Sequence, residues 1–339
     1  MRLIQKKLEK YDTLEMYKTY NEWPKIAKNS FDLDIEEIKF KNIDHIVFVG
    51  MGGSGAIGDV FASILSKTTI YTTVVKGYIL PKTVKKNTLV VIISVSGNTK
   101  ETFEILKLAK KTACEVIAFS SGGKIEKYCI SNNLEYRKFE KNHSPRASFP
   151  IFLYGILKVL KPILPIDDKE IHNSIKELKK TFLLISPKNV SNKNLALHLA
   201  KWITEIPIIY YPYGFESAAI RFKNSLQENS KTHVICEDVL ETTHNGIVAW
   251  ERKSKIKPIL LQGINDHVKT KERWEIMKKY LNFKKIDYRE VNSTKGDILS
   301  KLVNLIYLLD YTSIYYAVLN KTDPSPVEAI DFFKSRLKK

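Results

Sequence analysis

Apolar and polar positions change period repeatedly along this chain. Short runs rich in Val and Ile at residues 43–49, 69–75, 88–93 and 115–120 read as strands, and 135–139 reads as a further one. Between them, the stretch from about Ala56 to Leu65, residues 100–111 and a short piece at 124–131 read as helices. Helices of this length between nearly continuous apolar strands imply parallel strands covered on both faces. Ser144-Pro145-Arg146-Ala147-Ser148 then opens an apolar helix to about Leu160, and Pro162 and Pro165 end it before the charged residues 167–180, where the domain junction is placed. After about Asn192 the rhythm resumes, with strands at 206–211, 232–236, 258–262 and 285–291. The helices of this half are expected up to Trp202 and at 216–230, 270–282 and 298–319. The expected fold class is therefore α/β, with two doubly wound parallel-sheet domains in tandem. Residues 1–40 form a helical lead-in with a break at Trp23-Pro24, 41–165 the first domain, 166–191 a connecting segment, 192–320 the second domain and 321–339 a C-terminal helix.

At 339 residues, with 44% apolar and 27% charged positions, the composition is that of a folded chain with a large core. Its formal charge of +18, from 55 Lys+Arg against 37 Asp+Glu, favours anionic partners. The lysines are scattered in short runs such as Lys85-Lys86, Lys110-Lys111, Lys179-Lys180 and Lys278-Lys279, as solvated faces would have them. No nucleic-acid motif accompanies them, so no nucleic-acid partner is expected, while a basic field suits a small phosphorylated substrate. Cys114, Cys129 and Cys236 are widely spaced and suggest neither a disulfide framework nor a zinc site. The first 30 residues lack an apolar signal-peptide core, and a cytoplasmic location is expected. The apolar stretches 149–166 and 298–319 are interrupted by Lys158, Lys161, Lys301 and Asp310 and read as core helices, so no membrane partner is expected.

Candidate chemistry begins at Gly50-Met51-Gly52-Gly53-Ser54-Gly55, between the first strand and its helix. A strand emptying through glycines into a helix start leaves backbone N–H groups pointing outward with no Cβ to keep an anion away. A second cradle follows the strand at 88–93, where Ser94, Ser96 and Thr99 place three hydroxyls around Gly97. The two adjacent strand ends are expected to converge on one phosphate. Asn98 and Glu101 are spaced as a capping box, a purely structural reading that leaves Ser94 and Ser96 unexplained. Gly50, Gly52 and Gly55 also fit G-x-G-x-x-G, but the acidic residue that a dinucleotide site needs at the second strand end is missing. No H-x-H or H-E-x-x-H pattern is present, and neither a metal nor another cofactor is expected.

Together, G-M-G-G-S-G and S-x-S-G-N-T-x-E-T resemble the sugar isomerase (SIS) domain, in which both loops bind a sugar phosphate. Ser144-Pro145-Arg146-Ala147, the run from Lys223 through Gln227-Glu228-Asn229-Ser230-Lys231, Thr243-His244-Asn245 and the ending from Asp323-Pro324-Ser325-Pro326-Val327 to Lys334 resemble more narrowly the archaeal bifunctional phosphoglucose/phosphomannose isomerases. The resemblance covers roughly residues 40–337. It implies that Gly52, Gly53 and Ser54 lie beside the substrate and that Ser94, Ser96 and Thr99 hold its phosphate. By the same resemblance Arg146 stabilises an enediolate, Glu228 moves the proton, and His244 and Lys334 assist ring opening. The histidine is expected from the neighbouring subunit of a homodimer, the C-terminal helix is expected back at the active site, and Ser325 is a candidate for admitting both C2 epimers.

The chemistry asks for the same residue types. One base must take the C2 proton and return it to C1, a role suited to a carboxylate whose pKa burial has raised. A fixed cation at a loop-to-helix junction, as Arg146 offers, suits the developing enediolate. For Glu228 the competing reading is an ion pair on its own helix with Arg221 or Lys223. For His244 it is a cap or a solvated side chain, and His45, His143 and His233 are read as structural. The expected activity is interconversion of glucose 6-phosphate and mannose 6-phosphate with fructose 6-phosphate, without metal. The alternatives are another phosphosugar isomerase or a non-catalytic sugar-phosphate-binding regulator.

Overall fold

The computed structural model describes residues 2–189, 191 and 193–337. Met1, Val190, Asn192, Lys338 and Lys339, which include the outermost residues of several expected segments, lie outside the described residues. Three helices lead in: α1 (Arg2–Tyr11), α2 (Met16–Asn21) and α3 (Trp23–Phe31). The break expected at Trp23-Pro24 falls at Glu22, between α2 and α3, and Pro24 sits in the first turn of α3, where its missing N–H is harmless.

The first sheet holds β1 (His45–Val49), β2 (Tyr71–Val75), β3 (Thr88–Ser94), β4 (Glu115–Ser120) and β5 (Glu135–Lys138), in the order β2-β1-β3-β4-β5 with every pairing parallel. Its crossovers are α4 (Gly52–Leu65), α5 (Lys100–Lys110) and α6 (Gly123–Ser131). Strand register pairs Val49 with Ile92, so the chain leaves β1 beside its exit from β3. After α7 (Phe149–Leu160) comes α8 (Asp168–Ile185). The expected connecting segment is thus largely a helix, opened by an Asp167–Glu170 capping box and packed on the long helix described below. The alternating Lys and Leu of 169–183 had disguised its buried stripe of Ile171, Ile175 and Leu178.

The second half runs α9 (Leu195–Trp202), β6 (Ile206–Tyr211), α10 (Glu216–Ser230), β7 (Ile235–Asp238), α11 (Val239–Thr242), β8 (Ile256–Gln262), α12 (Val268–Phe283), β9 (Arg289–Asn292), α13 (Ile298–Leu319) and α14 (Glu328–Arg336). Its strands order as β7-β6-β8-β9, again all parallel, which repeats the first four strands of the other sheet. β7 and β9 begin three and four residues later than expected, because residues 232–234 and 285–288 belong to the approaches.

Side chains alternate across each sheet. Phe48, Val91 and Ile93 of the first and Ile209, Ile259 and Leu261 of the second join one central apolar core with α4, α7, α8, α10 and α13. Val47, Val90 and Ile92 face an outer layer with α5 and α6, and Ile208, Tyr210 and Leu260 face another with α12. Nearly all of α13 is buried between the halves, and its tyrosines are satisfied there. Tyr307 donates to the Tyr20 carbonyl, Tyr311 to Asn21 Oδ1 and Tyr315 to the Ile185 carbonyl, each at 2.6 Å. The lead-in helices and α8 are thereby pinned to the core.

Candidate active site

The two glycine-bearing loops meet where β1 and β3 end. Gly52 has φ +53 and opens α4, so this helix starts within the glycines and not near Ala56. Ser54 is buried, and its hydroxyl accepts the Val95 backbone N–H at 3.2 Å, tying the first loop to the second. Gly97 has φ +64, and a Cβ on it would lie 1.7 Å from the Gly122 carbonyl oxygen. Only glycine fits where the second loop crosses the start of α6.

The expected capping box at Asn98 is replaced by a different arrangement. The residue before α5 is Thr99, which caps nothing with its side chain; its hydroxyl accepts from Ser94 Oγ at 3.1 Å. The Asn98 amide instead donates to the Ser96 carbonyl and accepts from the Lys124 N–H, bracing the loop against α6. The first-turn N–H groups of α4 and α5 lack side-chain caps and remain available to an anion, whereas in α6 the Lys124 and Ile125 N–H groups are taken by Asn98 Oδ1 and the Gly97 carbonyl.

Arg146 stands next to this loop pair, since a Cβ on Gly53 would sit 3.4 Å from the Arg146 backbone. Its guanidinium is 6% exposed and fully engaged on one side. Nε donates to Asn229 Oδ1 at 2.7 Å, and Nη2 donates to the carbonyls of Pro324 and Ser325 at 2.6 and 3.1 Å. Nη1 donates to Glu228 Oε2 at 3.0 Å. Glu228 thus pairs with Arg146 and not with its helix neighbours Arg221 or Lys223; Arg221 pairs with the buried Asp310 of α13. The burial expected for the Glu228 side chain is incomplete: it is 25% exposed and faces a cavity of about 950 Å³. Gly52, Glu228, His233 and the Pro326–Ile330 stretch are among the residues lining that cavity, which is large enough for a hexose phosphate.

The C-terminal segment is clasped to α10 by Lys231, a left-handed residue at the helix end. Its Nζ donates to the carbonyls of Glu228, Asp323 and Pro326 at 2.8, 3.1 and 2.8 Å. Partial burial and the neighbouring Arg146 charge push its pKa down. The same two causes, burial first, lower His143, whose Nε2 lies 3.5 Å from Ser325 Oγ.

Contacts thus link the expected residues, Ser54 to the Ser94–Thr99 loop through Val95, Gly53 to the Arg146 backbone and Arg146 to Glu228, while Gly52 and Glu228 line the cavity. Two expected residues stand apart. His244 is exposed in the turn after α11, its N–H donating to the Glu241 carbonyl. Lys334 lies exposed farther along α14, whose first turn reaches the cavity. Sequence reasoning passed over Asn229, Lys231 and Asp310. The first two sit inside the Lys223–Lys231 motif, and Asp310 was visible as a charge in an otherwise apolar helix, which signals a buried partner. It also saw no chemistry in the lead-in, yet Trp23 Nε1 donates to the Ala147 carbonyl, directly after Arg146.

The parallel sheets and the loop pair define a tandem sugar isomerase architecture. The SIS domain model matches residues 39–134, and the bacterial phospho-glucose isomerase C-terminal SIS domain model matches 192–337. The C-terminal domain of glucosamine-fructose-6-phosphate aminotransferase from Francisella tularensis shares the fold, with TM-score 0.69, 17% identity and coverage of 92% of this chain and 98% of that one. Among curated proteins, a bifunctional phosphoglucose/phosphomannose isomerase from Caldicellulosiruptor bescii is 32% identical over 88% of this chain and 91% of its own length. One from Aquifex aeolicus is 30% identical over 98% and 99%. The chain belongs to the bifunctional phosphoglucose/phosphomannose isomerase family of enzymes.

Proposed function

We propose that this enzyme interconverts glucose 6-phosphate and mannose 6-phosphate with fructose 6-phosphate through a cis-enediol(ate), without a metal. The observation that carries the reading is the Arg146–Glu228 pair at a sugar-sized cavity, beside two loops with uncapped helix starts. The loops take the phosphate. Glu228 removes the proton from C2 and delivers it to C1, while a hydroxyl proton passes from O2 to O1 in the net change. Arg146 stabilises negative charge on the enediolate oxygens. Because C2 is trigonal in that intermediate, both epimers converge on it.

In this reading His244 and Lys334 serve ring opening, with His244 reaching the site of the partner in a homodimer. Its exposure, away from its own chain's cavity, supports that placement. Mixing inactive Glu228→Gln and His244→Ala proteins under subunit exchange is expected to restore about a quarter of parental activity, since each mixed dimer then holds one intact site. No recovery despite exchange, detected by a tagged subunit, contradicts donation across the interface.

The function itself is tested by following fructose 6-phosphate formation from each aldose phosphate, with and without EDTA. Equal turnover with and without chelator is expected for both sugars. Turnover of one sugar alone removes the bifunctional reading, and binding without turnover of either points to a sugar-phosphate-binding regulator.

A further inference from the structure

Arg146 is held from behind by two buried polar chains that meet on α13. In the first, Asn229 Oδ1 accepts from Arg146 Nε at 2.7 Å while its Nδ2 donates to Ser313 Oγ at 2.8 Å, and the Ser313 hydroxyl donates to the Asp310 carbonyl at 2.6 Å. One acceptor and one donor direction of that amide are therefore engaged, which sets its orientation, with Asn229 fully buried. In the second, Arg221 Nη2 donates to the Arg146 carbonyl at 2.9 Å and to Asp310 Oδ2 at 2.6 Å. Ser225 donates to the other Asp310 oxygen at 2.7 Å, and the Arg221 guanidinium lies over the Phe149 ring at 4.1 Å. Burial pushes the Asp310 carboxyl up, and the Arg221 charge and the bonds from Ser225, Arg221 and Tyr20 counter it.

A buried ion pair is an expensive way to fill a helix interface, and apolar residues of similar volume commonly serve stability as well. The arrangement has a geometric product, however. A guanidinium has five N–H groups. Here Nε is committed to Asn229 and both Nη2 hydrogens to the Pro324 and Ser325 carbonyls, which leaves Nη1 as the edge presented to Glu228, a residue that lines the cavity. Among the described residues, the second Nη1 hydrogen has no protein partner.

We infer that Asn229, locked by Ser313, is a positioning residue that fixes the guanidinium plane so that Nη1 alone faces the reacting oxygens beside Glu228. Its neutrality matters as much as its geometry, because a carboxylate there would compete with the enediolate for the same charge. This inference rests on the proposed isomerase chemistry.

The test is steady-state isomerisation of fructose 6-phosphate by the full chain, with rates divided by the binding-competent sites counted by calorimetry with the same sugar. Asn229→Ala is expected to lower kcat per site by about tenfold or more, with KM within about threefold. Ser313→Ala, which frees the amide without touching Arg146, covers the case in which Asn229→Ala does not fold. It is expected to lower kcat by about three- to tenfold, and Ser313→Thr to restore it. A purely structural role would reduce the number of competent sites and the melting temperature but leave kcat per site unchanged. Parental kcat per site in a folded Asn229→Ala or, failing that, in Ser313→Ala overturns the inference while leaving the isomerase reading intact. Absence of isomerisation by the parent overturns the isomerase reading, and the inference falls with it.

Discussion

The two halves share a strand order but treat their helix starts in opposite ways. At the ends of β1 and β3, the helices α4 and α5 begin without side-chain caps, while at the end of β4 Asn98 Oδ1 accepts the Lys124 N–H of α6. At the ends of β7 and β8 the protein supplies its own acceptors. Asp238 accepts the N–H groups of Leu240 and Glu241, and His267 accepts that of Lys269. Asp266 accepts the Gly263 N–H at 2.9 Å and Trp274 Nε1 at 3.2 Å, placing a carboxylate beside the loop that corresponds to Ser94–Thr99. At the end of β6, where α10 also lacks a side-chain cap, the buried Phe215 stands in place of a glycine–hydroxyl loop. The first half thus leaves the helix starts after β1 and β3 uncapped, and the second caps those after β7 and β8 with its own side chains. The second half contributes Glu228 and Asn229 from the far end of α10, so its role in the site comes from a helix C-terminus and not from its strand ends.

The largest expected contrast is between two glycines. Gly97→Ala drives a Cβ into the Gly122 carbonyl, and activity is expected to fall at least about a hundredfold as the second loop is displaced. Gly214, at φ +91 in the β6–α10 loop, has open space around it. Gly214→Ala therefore meets only backbone strain, about 1 kcal/mol, with kcat near the parent's. Paired melting curves and kinetics check both. Similar kinetic losses in the two variants would erase the distinction between the halves.

A smaller contrast separates Ser54 from Asp266. Ser54→Ala strands the buried Val95 N–H, and a loss of about 1–3 kcal/mol together with a raised KM is expected. Asp266→Ala strands the Gly263 N–H and the Trp274 indole N–H, with a comparable stability loss but kcat and KM within about twofold of the parent. Chemical denaturation and initial-rate kinetics on both proteins decide the point.

Strand and helix alternation was legible because the central parallel strands β1, β3, β4, β6 and β8 are short, largely apolar runs separated by helical stretches. Both glycine- and hydroxyl-bearing loops were equally visible, because capping a helix start takes one such residue and each loop carries several. Asn98 misled because its spacing to Glu101 satisfies a local rule, whereas its amide is recruited by Ser96 and Lys124 through tertiary contact. Glu228 was found through a motif, but its partner was hidden: Arg146 lies 82 residues away in sequence. The same holds for Asp310 and Arg221, 89 residues apart. Periodicity reports which face of an element is buried, and pairing across α7, α10 and α13 emerges only when those faces meet.

The most direct test is calorimetric titration of fructose 6-phosphate into Glu228→Gln, with turnover measured on the same preparation. The account predicts one sugar phosphate bound per chain, its phosphate on the two loops of the first half, and turnover lowered by about 10²–10⁴-fold. Two equivalents per chain, or turnover near that of the parent, would contradict it.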